Sequence, residues 1–182
     1  TYQVTLSGIT NSIFKNINID NTLVTGSIFI GASSSNTSKH DFCINNSTIN
    51  STAGASSLVY RDSIVGSSSK LNNVDINGTP DTSSAGLVDM NATLGEIDSS
   101  NSRLVGTHAN SICLYILAST GAIITINGTK INTLLRGIWA AESGVEVYID
   151  NGCVIENATA YGVGIYDTTI GSKAVISGAR IK

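Results

Sequence analysis

Charge, aromatic rings and proline are all scarce in this chain of 182 residues. Charged residues make up 13% of the sequence, aromatic residues 5%, and proline occurs once, whereas an average globular protein has about 25% charged residues. The net charge of −3 comes without any basic cluster, which argues against a nucleic-acid-binding surface. The longest apolar stretch, residues 112–118, is too short to span a membrane as a helix.

Cysteine and histidine are also too few for most kinds of metal or disulfide chemistry. The three cysteines, Cys43, Cys113 and Cys153, are widely spaced and include no C-x-x-C pair. Neither a zinc site nor a disulfide framework is therefore indicated. We predict no metal and no cofactor, and we interpret the cysteines as small apolar residues of a core.

Serine, threonine and asparagine are abundant instead, and together they form about a third of the chain. These residues and the 18 glycines are poor helix formers. Hydrophobic residues still reach 41%, which argues against disorder. The composition favours an all-β fold with one domain over residues 1–182. Because the sequence begins with Thr1 and lacks a leader pattern, we expect this domain to be a processed or excised piece of a larger protein.

Apolar residues recur along the chain in three rows that share a spacing of about 27 residues. The first row contains Ile28/Ile30, Leu58/Tyr60, Val88/Met90, Ile112/Leu114, Ile138/Ala140 and Val163/Ile165. The second contains Phe42/Ile44, Leu71, Ile97, Ile124/Ile126, Val147/Ile149 and Ala174/Ile176. The third contains Ile17/Ile19, Ile49, Val74/Ile76, Leu104, Ile131, Val154 and Ile181. Alternate inward side chains on three short strands per turn explain the rows, and stacked turns would bury them.

A short turn connects the second row to the third and has Asn or Gly at a fixed position. The predicted corner row consists of Asn16, Asn46, Asn73, Gly128, Asn151 and Gly178. These residue types tolerate the left-handed backbone that a sharp corner requires. Stacked asparagines can also form hydrogen bonds between turns. The turn after Ile97 breaks the pattern with a longer connection, so we expect a bulge there.

The three rows and the asparagine corner resemble the right-handed parallel β-helix, or pectin-lyase-like, architecture. This resemblance implies an all-β, single-stranded solenoid of about six to seven turns, each of about 27 residues and three strands. A β-sandwich of short strands is the alternative. A 27-residue period with an Asn or Gly corner is not typical of a sandwich.

Within this architecture the sequence is most similar to a bacteriophage tailspike or tail-fibre module. The clustered calcium-binding aspartates of pectate lyases and the N-T-D, D-D and G-H-G motifs of polygalacturonases are absent. The resemblance implies an extracellular or virion-surface homotrimer that recognises host-surface polysaccharide. Two alternatives stay open: a structural or adhesive filament subunit of the cell surface without catalysis, and a secreted polysaccharide lyase or hydrolase.

One outer surface of the predicted solenoid carries apolar and aromatic residues. Residues between the inward anchors of the first row should point outward, and these include Cys113 and Asp89. The expected contact strip consists of Phe29, Val59, Tyr115, Trp139 and Tyr166. Such a strip favours an oligomer interface, a carbohydrate-binding surface, or a surface covered by a loop.

Two carboxylates are candidates for catalysis. Glu142 and Asp167 each lie two residues beyond an inward anchor, and they are 25 residues apart. Adjacent turns would then bring their carboxyl groups to roughly 5 Å, a separation that suits retaining glycoside hydrolysis. The alternatives are solvated turn residues or a cation site, so whether the protein is an enzyme stays open.

Overall fold

A computed structural model describes most of the chain as parallel strands and turns. It describes residues 2–6, 13–20, 23–25, 28–32, 39–51, 56, 58–61, 68–81, 86–91, 94–98, 102–116, 121–141, 144–150, 152–165 and 171–182. These residues contain no helix. The strands are β1 (Tyr2–Leu6), β2 (Ile13–Asp20), β3 (Leu23–Thr25), β4 (Ile28–Ala32), β5 (Lys39–Ser51), β6 (Leu58–Arg61), β7 (Ser68–Gly78), β8 (Gly86–Asn91), β9 (Leu94–Asp98), β10 (Arg103–Gly106), β11 (Ile112–Ile116), β12 (Ile123–Asn127), β13 (Lys130–Asn132), β14 (Arg136–Ala140), β15 (Glu146–Asp150), β16 (Val154–Glu156), β17 (Tyr161–Ile165), β18 (Lys173–Ile176) and β19 (Arg180–Ile181).

The strands stack into a parallel β-solenoid, which confirms the all-β solenoid class predicted from the sequence. Paired residues on successive strands are about 26 residues apart, as between Val88 and Leu114. One wall of the solenoid, face 1, is a seven-stranded sheet in the order β1-β4-β6-β8-β11-β14-β17. Every pairing within it is parallel.

The other two walls belong to one twelve-stranded sheet that bends along a corner. The long strands β5 and β7 run through this corner, whereas later turns use a separate strand on each side of it. Face 2 consists of β2, β9, β12, β15 and β18 with the first parts of β5 and β7. Face 3 consists of β3, β10, β13, β16 and β19 with the second parts of β5 and β7.

Alternate residues of the strands point into a continuous apolar column. On face 2, Ile126 and Ile149 are fully buried, while Thr125 and Tyr148 beside them are partly exposed. Aliphatic side chains from all three faces meet in one cluster, and Val163 and Ile165 pack against it. This burial of apolar surface is the main stabilising contribution available to a protein with so few charges.

The predicted membership of the first apolar row was wrong by two residues in β11. Leu114 pairs with Val88 and Ile116 pairs with Met90, so the row continues through Leu114/Ile116 and not through Ile112/Leu114. A shift of two residues leaves the alternation of a strand unchanged. The apolar residues of β11 are therefore compatible with either register when only the sequence is considered.

Two further assignments in the rows were also wrong. Ile19 pairs with Ile44, which moves Ile17/Ile19 from the third row to the second. Ile155 pairs with Ile131 and is fully buried, so Ile155 replaces the partly exposed Val154 in the third row. Adjacent apolar residues and an irregular first turn leave these choices ambiguous in the sequence.

The corner between faces 2 and 3 has a left-handed backbone in several turns. The φ angles are 47° at Asn46, 53° at Asn73, 59° at Gly128 and 67° at Gly178. The Asn73 side-chain amide donates a hydrogen bond to the Asn46 side-chain oxygen at 2.7 Å. Asn151 lies outside the described residues.

Asn16 does not occupy the corner. It lies within β2, whose register shifts before Ile17. Asp20 pairs with Asn45, so the position equivalent to Asn46 follows Asp20. The cause is the irregular strand, which displaces the first turn relative to the apolar spacing.

The turn after Ile97 has the longer connection that its sequence predicts. Asp98 pairs with Asn72, and Arg103 pairs with Asp75. Two additional residues therefore separate the paired positions in this turn. Residues 99–101 lie outside the described part of the chain, and the expected bulge stays a prediction.

The inward assignment of β12 is tested by two isoleucines on the same strand. We expect Ile126→Ala to lower the free energy of unfolding by about 2–5 kcal/mol, because a buried side chain leaves a cavity. Ile123→Ala should cost under about 1 kcal/mol, because Ile123 is 40% exposed. Chemical denaturation measures both, and equal losses would contradict the assignment.

Two substitutions of Asn73 separate the contributions of backbone strain and of the side-chain hydrogen bond to the stability of the corner. We expect Asn73→Ala to cost about 2–3 kcal/mol, since alanine disfavours a left-handed backbone and the bond to Asn46 is lost. Asn73→Gly loses only the bond and should cost less. As a control, Asn77→Ala removes a bond to Asn50, 3.0 Å long, and one to Asp75, 3.1 Å long, at a residue without a left-handed φ. Equal effects of Asn73→Ala and Asn73→Gly would refute the strain argument.

Candidate functional site

The outer surface of face 1 carries a cluster that we call the Arg136 patch, which consists of Arg136, Trp139, Tyr161 and Gly164. Arg136 and Trp139 belong to β14, and they pair with Tyr161 and Gly164 of β17. Arg136 and Trp139 share one side of the sheet, although two residues lie between them, because Gly137 and Ile138 are both buried. The strand therefore departs from simple alternation at Gly137.

The Trp139 indole packs over the neighbouring strand. Its ring is stacked with the Tyr161 ring, with centroids 5.7 Å apart and planes inclined by 28°. A Cβ atom at Gly164 would lie 2.4 Å from Cε3 and Cζ3 of Trp139. Glycine is thus the residue that leaves room for the indole. Trp139 is half-buried as a result, while Tyr161 is 52% exposed.

Arg136 lies over both aromatic rings. Its Cζ atom is 4.5 Å from the Trp139 ring centroid and 5.9 Å from that of Tyr161. Cation–π contacts of this kind favour a fixed guanidinium plane. The Arg136 Nε atom is nevertheless buried without a hydrogen-bond partner, which is a costly arrangement unless something supplies an acceptor.

Sequence alternation missed Arg136 and Tyr161, because it assigns both to inward positions. The signal lies in the glycine that follows each of them, in Arg136-Gly137 and Tyr161-Gly162. A Cβ atom at Gly137 would lie 2.5 Å from the Gly162 carbonyl oxygen. The two glycines allow the close backbone approach that turns the preceding side chains outward.

Part of the predicted contact strip runs in register along face 1. Tyr115 pairs with Asp89 and with Trp139, so these residues form one row across three turns. Phe29 and Val59 are paired through their backbones, but their side chains lie outside the described part of the chain. Tyr166 also lies outside it, so the full strip stays a prediction.

Asp89 belongs to the outward row, yet it is only 4% exposed. Its Oδ1 atom accepts a hydrogen bond from the Gly86 backbone N–H at 2.6 Å, and Oδ2 accepts one from the Ser56 hydroxyl at 2.9 Å. Hydrogen bonds stabilise the ionised form of a buried carboxylate. Asp89 therefore has a structural explanation in its hydrogen bonds to its own strand and to the preceding turn.

The outward assignment of Cys113 was wrong. Tyr115 takes the outward position because Leu114 pairs with Val88, and Cys113 is fully buried. Its thiol donates a hydrogen bond to the Asn132 carbonyl at 3.2 Å. Burial raises the pKa of Cys113 to about 12, so the thiol stays neutral.

The proposed catalytic residues Glu142 and Asp167 lie outside the described residues. The strands that precede them are adjacent, since Ala140 pairs with Ile165. The carboxylate pair stays a prediction. In the described part of the chain, no three metal-ligating side chains lie close enough together to hold an ion.

Two charged groups on faces 2 and 3 illustrate ion pairing within the described part of the protein. On face 2, Lys173 donates to the Tyr148 hydroxyl at 2.9 Å and lies 3.7 Å from the Glu146 carboxylate. This hydrogen bond to Tyr148 is the main reason that the Lys173 pKa is raised. On face 3, Arg103 forms two hydrogen bonds with Asp75, at 3.0 and 3.1 Å.

Comparison with known proteins gives no relative: no family model, curated protein or solved structure matches this chain. No membrane-spanning helix occurs in the residues that the structure describes. Interpretation of the Arg136 patch therefore depends on its geometry.

The three cysteines differ in burial, so they should differ in their reactivity towards a thiol reagent. We expect a thiol reagent to modify the partly exposed Cys43 in the native protein, while Cys113 and Cys153 react only as fast as the protein unfolds. The folded-state pKa of Cys113 lies above its ordinary value of 9.0. Its ionisation should therefore lower the free energy of unfolding as the pH rises above about 9. Rapid modification of Cys113 in the native state would contradict its burial.

Proposed function

We propose that this chain is a tailspike-like β-solenoid module of a virion or cell surface, and that it binds host-surface carbohydrate through the Arg136 patch. The finer architecture belongs to the same proposal: a right-handed solenoid of six to seven turns. Crossovers between parallel strands of one sheet are almost always right-handed, which supports this hand. The seven strands of face 1 are consistent with the number of turns.

The exposed Tyr161 ring is the observation on which the carbohydrate proposal depends. An aromatic ring that is 52% exposed and stacked on a second ring presents a flat apolar surface to solvent. The apolar face of a pyranose ring can pack against such a surface, while its hydroxyl groups remain hydrated. Exposed aromatic surface next to a cation is typical of a ligand-binding region.

The rigidity of the patch also supports this function. Trp139 and Tyr161 lie on paired strands, and Gly164 leaves a fixed space for the indole. Rings that are already held in place lose little conformational freedom when a ligand binds. A flat, open wall also suits a long polysaccharide better than an enclosed pocket would.

The homotrimer that the resemblance implies is a further part of the proposal. Low surface charge and an aromatic strip are typical of interfaces between copies of a chain. Trimerisation through the Arg136 patch would bury Tyr161, and carbohydrate binding requires it to be accessible. We therefore assign the patch to the glycan and the trimer contact to another part of the solenoid surface.

The proposal predicts that binding depends on Tyr161. We expect Tyr161→Ala to weaken binding of host-surface polysaccharide fragments about tenfold or more, because the contact between the aromatic ring and the bound sugar is lost. Trp139→Ala should have a similar effect, since Trp139 supports the Tyr161 ring. Tyr148→Ala, which removes a tyrosine from face 2, should leave affinity unchanged. Titration calorimetry with fragments identified on a glycan array measures these affinities.

The same variants distinguish glycan binding from oligomer contact. Sedimentation should give the same oligomeric state for the native protein and for Tyr161→Ala. Dissociation of an oligomer by Tyr161→Ala, without any change in glycan binding, would refute the assignment of the patch.

A further inference from the structure

The Arg136 side chain carries a charge that the described protein does not neutralise. No described residue forms an ion pair or a hydrogen bond with its guanidinium group, and its Nε atom is buried without a partner. Arg103, by contrast, makes two hydrogen bonds to the Asp75 carboxylate. The protein thus contains one arginine with a complete carboxylate partner and one whose stacked guanidinium has none among the described residues.

The ring contacts of Arg136 do not use the N–H donors of its guanidinium group. Contacts with Trp139 and Tyr161 are made to the π-faces of the rings, at 4.5 and 5.9 Å from their centroids. The N–H groups of a guanidinium lie in its plane, so these contacts do not consume them. A planar fork of N–H donors matches the two oxygens of a carboxylate.

The described carboxylate in the outward row, that of Asp89, is bound elsewhere and is not a partner of Arg136. Asp89 lies two strands away from Trp139 along that row. Its two oxygens accept hydrogen bonds from Gly86 and Ser56. Among the described residues, the Arg136 patch therefore carries one positive charge, that of the Arg136 guanidinium group, without a carboxylate partner.

We propose that Arg136 makes the patch selective for acidic saccharides, specifically for sugars that carry a carboxylate. The sugar ring packs against Tyr161, and its carboxylate accepts two hydrogen bonds from the Arg136 guanidinium. This inference rests on the proposed carbohydrate-binding function and names the class of sugar for the same site. The indole of Trp139 positions both contacting residues.

The experiment compares each acidic glycan with its own neutral form. Titration calorimetry is carried out on the full chain with fragments of alginate, hyaluronan and polygalacturonate. Each is measured beside the same preparation with its carboxyl groups reduced to alcohols. We expect at least one uronate to bind about tenfold or more tightly than its reduced form, and the preference to weaken at high salt.

Substitutions of Arg136 test whether this residue causes the preference for the uronate over its reduced form. Arg136→Gln should bind the uronate and its reduced form alike. Arg136→Lys keeps the charge but loses the planar fork, so it should retain only part of the preference. Arg103→Gln makes the same change of charge on face 3 and serves as the matched control. It should keep the full preference.

The outcomes separate this inference from the function on which it rests. If reduced glycans bind in a Tyr161-dependent manner and no uronate binds more tightly, the selectivity is refuted while the carbohydrate function stands. If Arg103→Gln loses as much affinity as Arg136→Gln, general charge explains the effect and the inference also fails. If no acidic or neutral glycan binds, both proposals are refuted.

Discussion

The backbone register between successive turns decides where every described side chain of this protein lies. Parallel pairing places Ile149 beside Ile126 and Ile155 beside Ile131, so that equivalent residues form continuous inward rows. A slip by one residue would reverse the direction of a whole strand's side chains. The apolar column and the left-handed corner both depend on this alignment, because Asn73 can bond to Asn46 only where the turns are in register.

The same register builds the Arg136 patch from parts that no single strand contains. Trp139 lies beside Gly164 and Arg136 beside Tyr161 because β14 and β17 are adjacent in face 1. The missing side chain at Gly164 is as important as the rings, since any Cβ there would meet the indole. A departure from regular alternation at Gly137 converts an inward position into an outward one. The Arg136 patch thus lies where a strand departs from regular alternation.

Because charged residues are few in this protein, the partners of each one help to distinguish the surfaces of the solenoid. Arg103 and Lys173 form ion pairs with residues of adjacent strands, at 3.0 Å to Asp75 and 3.7 Å to Glu146. Exposed pairs of this kind contribute little to stability, but they neutralise the surface locally. Arg136 differs because its guanidinium group contacts two aromatic rings and has no carboxylate partner among the described residues. Lys173 also lies over an aromatic ring, that of Tyr148, but it has a carboxylate partner as well.

The sequence by itself determined the solenoid class, the spacing of its turns, most of the inward rows and the residue types at the corner. It could do so because a repeated fold gives the same physical requirement at each turn: an apolar residue inside, and Asn or Gly where the backbone is left-handed. The tertiary structure decided the register of β11, the burial of Cys113 and the pairing of Arg136 with two aromatic rings. Alternation alone cannot distinguish registers that differ by two residues, nor can it reveal an irregular strand. Those features depend on contacts between turns, which exist only once the chain is stacked.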